Sequence, residues 1–213
     1  MKEVIILGTG NSMVHCPYDC EVWGVNGAYL AERRVLQKQG KFRMDKLFLT
    51  DYLFRPTGEL NFDIKAMNAM VDKYNCQLIS LHRINLGKYG LKASLYPFKR
   101  IVNKFGTDYF SSTICYMLAY ALDKGYKHLR LYGVDMSTSI EYYTQKAGVE
   151  FWIGMAMMKG CTVDVLRGVG STIMVLPTGT PYGFKIKYDL EQVDPYELLK
   201  GGKSTEGKRQ KTS

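Results

Sequence analysis

Near the start of the chain, Gly8, Thr9, Gly10, Asn11 and Ser12 set two glycines among hydroxyl and amide side chains. Glycine lets the main chain come close to a ligand, and the polar groups suit phosphate or ribose oxygens. They follow the apolar run 3–7 without a break, which reads as a buried strand opening onto a loop. Nucleotides bind at such loops in open α/β sheets. The third glycine of the dinucleotide fingerprint and the Lys-Ser/Thr of a P-loop are missing, so the spacing suggests a nucleotide without specifying NAD or ATP. A tight turn that binds nothing is the competing reading of the same residues.

Other polar groups fall at the ends of later apolar runs. Asn26 closes the run 21–26, and Thr50 and Asp51 stand at the end of 46–50. Ser111, Ser112 and Thr113 precede a helix-periodic stretch, where hydroxyls meet unpaired N–H groups and an anion is favoured. Gly133 and Asp135 follow the run 127–132 and bring a carboxylate to the same edge. Glu141 and Gln145 lie four apart on a long helical stretch that also holds Tyr142 and Tyr143. The candidate catalytic groups are Asp135, Glu141, Tyr142 and Tyr143. The candidate nucleotide-binding groups are Gly8, Thr9, Gly10, Asn11, Ser12, Asn26, Thr50, Asp51, Ser111, Ser112, Thr113 and Gly133. His15, Cys16 and Cys20 lack a second ligand pair, so no metal is expected.

The elements that must position these groups alternate along the chain. Strands are expected at 3–7, 21–26, 46–50, 77–80, 127–132 and 162–166, and helices at 28–39, 64–74, 114–124 and 140–159. The alternation predicts an α/β, Rossmann-like fold with a mainly parallel sheet and helices on both faces, in a single domain over residues 1–199. Residues 82–108 read as an irregular basic lid or loop, with Lys88, Lys92, Lys99, Arg100 and Lys104 interleaved with Tyr89, Tyr96 and Phe98. Such a segment covers phosphates, tracks nucleic acid, or is simply solvated. Residues 171–175 suggest another strand or an edge hairpin, and 177–188 a Gly/Pro-rich excursion. Met155, Met157 and Met158 read as core packing.

A chain of 213 residues, 46% hydrophobic, suits one sizeable core. Its formal charge is +9, of which Lys200, Lys203, Lys208, Arg209 and Lys211 against Glu206 contribute +4, leaving +5 on the rest. The tail 200–213 lacks apolar residues and is expected to be disordered, with DNA or RNA as a partner or with no partner at all. No run of eighteen apolar residues occurs and the chain enters a strand directly after Met1 and Lys2, so a cytoplasmic protein without a membrane partner is expected. Five scattered cysteines without a Cys-x-x-Cys pair point to reduced thiols.

The ordered set Gly8 to Ser12, Val25-Asn26, Ser111 to Thr113 before an Ala-containing helix, Gly125 to Lys127, and Leu131 to Asp135 resembles the bacterial sialyltransferases of glycosyltransferase family 42. It also resembles 6-hydroxymethylpterin diphosphokinase-like proteins. Trp23 to Asn26, Tyr132 to Met136, and Glu141, Tyr142 and Gln145 have counterparts in small proteins of tailed bacteriophages. The likeness covers residues 1 to about 165. It implies a cytidine nucleotide sugar at the carboxyl edge of the sheet, with Gly8, Gly10 and Ser12 along phosphate and ribose. It also implies Asn26 and Thr50 near the nucleotide, and Ser111 to Thr113 near the base or sugar. Tyr142 or Tyr143 would hold the departing phosphate, and Asp135 would sit by the reacting sugar or the nucleotide. Those enzymes use a histidine downstream of the Gly-Ile/Val-Asp strand as base, whereas here none follows His128. Asp135, Glu141, Asp51 or His15 would have to replace it.

Together these readings suggest a nucleotide-dependent transferase, foremost a glycosyltransferase moving sugar from a nucleotide-sugar donor to a hydroxyl acceptor. A phage setting makes modified DNA bases one such acceptor, reached through the basic loop and tail. The nucleotide sugar is a substrate, and no cofactor is required. Two alternatives remain: a phage protein that binds or sequesters a nucleotide without turnover, and a nucleic-acid-binding protein on the same scaffold. An oligomer is compatible with the sequence.

Overall fold

Strands buried on both faces must be apolar at nearly every position, and Val4 to Leu7 and Leu47 to Leu49 meet that demand with almost no exposure. The structure, a computed structural model, describes residues 1–82, 86–136, 140–166 and 171–175, the side chains of 140–143 excepted. The expected excursion at 177–188 and the tail at 200–213 lie outside the described residues. Among the described residues the strands are β1 (Glu3–Leu7), β2 (Glu21–Val25), β3 (Lys46–Leu49), β4 (Gln77–Ser80), β5 (Ala93–Leu95), β6 (His128–Tyr132) and β7 (Thr162–Val165). They form one wholly parallel sheet in the order β5-β4-β3-β2-β1-β6-β7. The helices are α1 (Glu32–Gln39), α2 (Ile64–Tyr74), α3 (Phe98–Phe105), α4 (Thr113–Asp123) and α5 (Ile140–Met158).

Alternate residues of each strand supply two cores. Val4, Ile6, Trp23 and Leu129 pack with Leu118 of α4 and Trp152 of α5, joined by Ile101 of α3. Ile5, Leu7, Val22 and Leu47 face the other way, onto Val35 of α1 and Met67 of α2. Helices thus cover both faces, as the alternation predicts. The chain leaves β1 toward β2 on one side and returns to β6 on the other, with Leu7 in register with Tyr132. That reversal opens a crevice beyond the carboxyl ends of β1 and β6.

Several local expectations need correction. The helix expected at 28–39 begins as a 3-10 turn, Asn26–Ala31, before α1, because Asn26 and Gly27, which follow β2, are poor helix formers. The segment 82–108 is not irregular throughout: β5 extends the sheet beside β4, and α3 buries Ile101. Gly90 and Pro97 mark the turns around these short elements. Residues 171–175 make a turn, with the Thr172 N–H donating to the Asp135 carbonyl at 2.9 Å. Met157 and Met158 are 51% and 87% exposed rather than core, since the buried side of α5 is taken by Val149, Trp152, Ile153 and Ala156.

All five cysteines are free thiols. Burial pushes the Cys16 and Cys76 thiols up to about 12, consistent with packing rather than reactivity.

Candidate functional site

The β1 loop and the β6 loop run against each other. The Gly8 N–H donates to the Tyr132 carbonyl and the Gly10 N–H to the Gly133 carbonyl, both at 2.8 Å. A Cβ on Gly8 would stand 2.2 Å from the Gly133 oxygen, and one on Gly10 would stand 2.5 Å from a carboxylate oxygen of Asp135. Gly133 has φ +67, and its own Cβ would meet the Gly8 carbonyl at 2.5 Å. The glycines therefore let the two loops touch, a packing role beside the ligand approach expected of them.

Ser12 and Asp135 fasten this contact. Both are buried, at 1% and 8% exposure. The Ser12 N–H donates to one Asp135 oxygen at 3.0 Å and the Ser12 hydroxyl donates to the other. The same hydroxyl accepts from the Gly133 N–H at 2.8 Å. Ser12 lies beneath the loop instead of facing its opening, and Asp135 spends hydrogen-bonding capacity on each oxygen in holding it.

A second cluster joins β2, β3 and α4. Asn26, at φ +34, donates its amide to Asp51 at 2.9 Å and to the Thr113 hydroxyl at 3.3 Å, while its carbonyl oxygen accepts from the Thr50 N–H at 3.1 Å. The Thr50 and Thr113 hydroxyls are 2.6 Å apart. An asparagine held in the left-handed region by three partners fixes the strand ends relative to the helix.

Between the two clusters lies a cleft of about 720 Å³. Gly8, Thr9, Gly10 and Asn11 line it, as do Asn26, Thr50 and Asp51. Ser111, Ser112, Thr113, Gly133 and Asp135 complete the expected set, so every proposed nucleotide-binding residue except Ser12 faces one space. Ser112 gives α4 no side-chain cap; its hydroxyl lies 3.5 Å from the Cys115 sulfur. The first N–H groups of α4 are thus left without that partner at the wall of the cleft. Glu141, Tyr142 and Tyr143 open α5, and their side chains lie outside the described residues. His15 ends a short 3-10 turn and is exposed, whereas His128 stands at the opposite edge of the sheet, 2.7 Å from Asp164.

The cleft also holds Phe110 and Tyr116, which sequence reasoning passed over, and Gln145, which it paired with Glu141 without assigning it to the site. Phe110 and Tyr116 stack with centroids 4.5 Å apart and planes at 8°, forming an aromatic wall beside Ser111. Burial pushes the Tyr116 phenol up, and the main-chain carbonyl of Tyr116 accepts from the Tyr96 hydroxyl at 2.9 Å. Gln145 lines the cleft because α5 comes very close: the Ser111 hydroxyl donates to the Gln145 carbonyl at 2.8 Å, and a Cβ on Gly148 would stand 2.0 Å from that hydroxyl. A glycine in mid-helix was the available signal. No lysine, arginine or histidine lines the cleft among the described residues, while Asp51 and Asp135 do.

No protein-family model matches this chain, and no curated protein matches it. Solved structures do. The sialyltransferase CstII from Campylobacter jejuni, in complex with CMP-3FNeuAc, aligns at TM-score 0.50 and 19% identity over 80% of this chain and 88% of that one. This chain is similar in fold to a sialyltransferase. A CST-II variant in complex with CMP aligns at TM-score 0.51 and 19% identity, covering 73% of this chain and 79% of the other. A second CST-II variant with CMP gives 0.50 and 20%, over 73% and 78%. The sialyltransferase likeness read from the ordered motifs thus extends to the fold of the sheet. No helix among the described residues is long and apolar enough to cross a membrane.

Proposed function

We propose that the protein is a glycosyltransferase that uses a nucleoside-monophosphate sugar as donor. The reading rests chiefly on one observation: loops from β1, β2, β3 and β6 and the start of α4 converge on one cleft at the switch point of the sheet. The solved structures of similar fold hold CMP or a CMP-sugar analogue, which supports the same class of donor here. Main-chain N–H groups, hydroxyls and the N-terminal end of α4 would meet the phosphate, and the Phe110–Tyr116 wall would stack against the base.

Transfer requires the phosphate to leave and the acceptor hydroxyl to lose its proton. Tyr142 or Tyr143, at the start of α5, would stabilise the leaving phosphate, and Glu141 or Asp51 would take the proton. Asp135 serves better as the clamp on Ser12 than as the base. The acceptor is a hydroxyl, and a hydroxylated DNA base belongs in the test panel beside sugar hydroxyls.

The experiment incubates the full chain with CMP-Neu5Ac and a panel of UDP-sugars, with and without acceptors, and follows nucleotide release and product mass. Release of CMP is expected from the cytidine donor. Absence of turnover with every donor, together with absence of nucleotide binding, would overturn the proposal. The second reading is a nucleotide binder without turnover, favoured by the absence of histidine from the described lining and by the engagement of Asp135 with Ser12. Tight CMP binding with the donor recovered intact would establish it.

A further inference from the structure

A surface helix normally turns charged residues outward. On α5, Thr144, Ala147, Phe151, Gly154, Met155 and Met158 fall within an arc of about 100° at 3.6 residues per turn, and none is charged. Thr144 and Ala147 are exposed, Phe151 is 38% exposed and Met158 is 87% exposed. Gly154 stands open, with nothing within 4 Å of an added Cβ. The rest of the helix supplies Val149, Trp152, Ile153 and Ala156 to the core. Four turns of uncharged surface on the longest helix are costly to leave in water and mark an interface.

The order of sizes along this face indicates what covers it. Small Ala147, large Phe151, small Gly154 and large Met158 alternate, and the sequence is complementary to its own reverse. A two-fold axis crossing α5 midway between Trp152 and Ile153 brings Phe151 onto the partner subunit's Gly154, and Ala147 beneath the partner subunit's Met158. An isologous contact requires this reciprocity, each residue meeting a residue that it is met by in return. We propose that the outward face of α5 is the contact between two copies of this chain, packed antiparallel. Gly154 lets the two helices approach closely while Phe151 and Met158 fill the space on either side. Tyr109, 45% exposed and 5.5 Å from the Phe151 ring, extends the patch. The contact is independent of the nucleotide, although the same helix carries Gln145 into the cleft.

Sedimentation velocity of the full chain, from about 1 to about 200 µM, is the first test, since a contact of this size belongs to the weaker class of interfaces. A concentration-dependent dimer is expected. Met158→Glu, at an exposed site that the fold does not need, is expected to weaken association at least about tenfold with an unchanged melting temperature. Oxidised Ala147→Cys/Met158→Cys protein is expected to yield a covalent dimer, whereas Ala147→Cys alone is not, because the two copies of position 147 lie about 16 Å apart along the antiparallel pair. A monomer throughout the concentration range would overturn the proposal. So would a dimer indifferent to Met158→Glu, or efficient cross-linking of Ala147→Cys to itself.

Discussion

Ser12→Ala removes one oxygen and two buried hydrogen bonds. The lost hydroxyl donates to Asp135 and accepts from the Gly133 N–H at 2.8 Å, at a site 1% exposed where water has little access. The substitution strands a main-chain donor and strips a carboxylate oxygen of one partner. Each buried group left without its partner costs about 1–3 kcal/mol, so the pair amounts to about 2–6 kcal/mol. For a protein of this size that corresponds to a fall in melting temperature of about 4–24 °C. Thermal unfolding followed by circular dichroism, without nucleotide, reads it directly. Ser112→Ala is the control: that hydroxyl only approaches the Cys115 sulfur at 3.5 Å, and its loss is expected to cost under about 0.5 kcal/mol. If Ser12→Ala melts with the wild type, Asp135 does not clamp the loop and the reasoning fails.

Further outcomes follow from the same geometry. Gly148→Ala is expected to destabilise by about 1–2 kcal/mol in chemical unfolding, because the clash with Ser111 outweighs the helix propensity of alanine, whereas Gly154→Ala in dilute protein gains about 0.5–1 kcal/mol. Tyr116→Leu keeps the apolar volume but loses the ring, and CMP affinity measured by calorimetry is expected to drop about 5- to 30-fold. Glu21 supplies a pH test. Burial opposes its charge, but hydrogen bonds from Lys46, Tyr126 and Trp23 outweigh that and hold its carboxyl below the usual range. Its stabilising contribution is thus fully present above the unfolded value of about 4.3 and is lost as pH falls through the lower folded value. The melting gap between wild type and Glu21→Gln is expected to be widest near neutrality and to close below about pH 4. A gap that widens with acid would contradict it.

Much of the fold was legible because parallel strands leave a plain signature. The β-branched and leucine runs of β1, β3 and β6, punctuated by glycine, located the strands and the edge where polar residues gather. β5 escaped notice because three residues on a sheet edge, with Ser94 and Leu95 exposed, carry neither periodicity nor an apolar run. The cleft residues were legible as strand-end groups, yet the role of Asp135 was not. Its partner Ser12 lies 123 residues away, and only the approach of Gly8 to Gly133 brings them together. The aromatic wall was hidden for a similar reason: nothing in the sequence singles out Phe110 or Tyr116, and only the fold brings the two rings into one stack. The methionines of α5 misled because composition favours the core, while helical phase turns Met158 outward.

The most direct measurement of the central claim is a titration of the full chain with CMP, followed by backbone NMR. Saturable shifts are expected at Gly8 to Asn11, Asn26, Thr50 and Thr113, with the opposite sheet edge at His128 and Thr162 unmoved. No binding at millimolar CMP, or shifts confined to that opposite edge, would contradict a nucleotide site at the β1–β6 crevice.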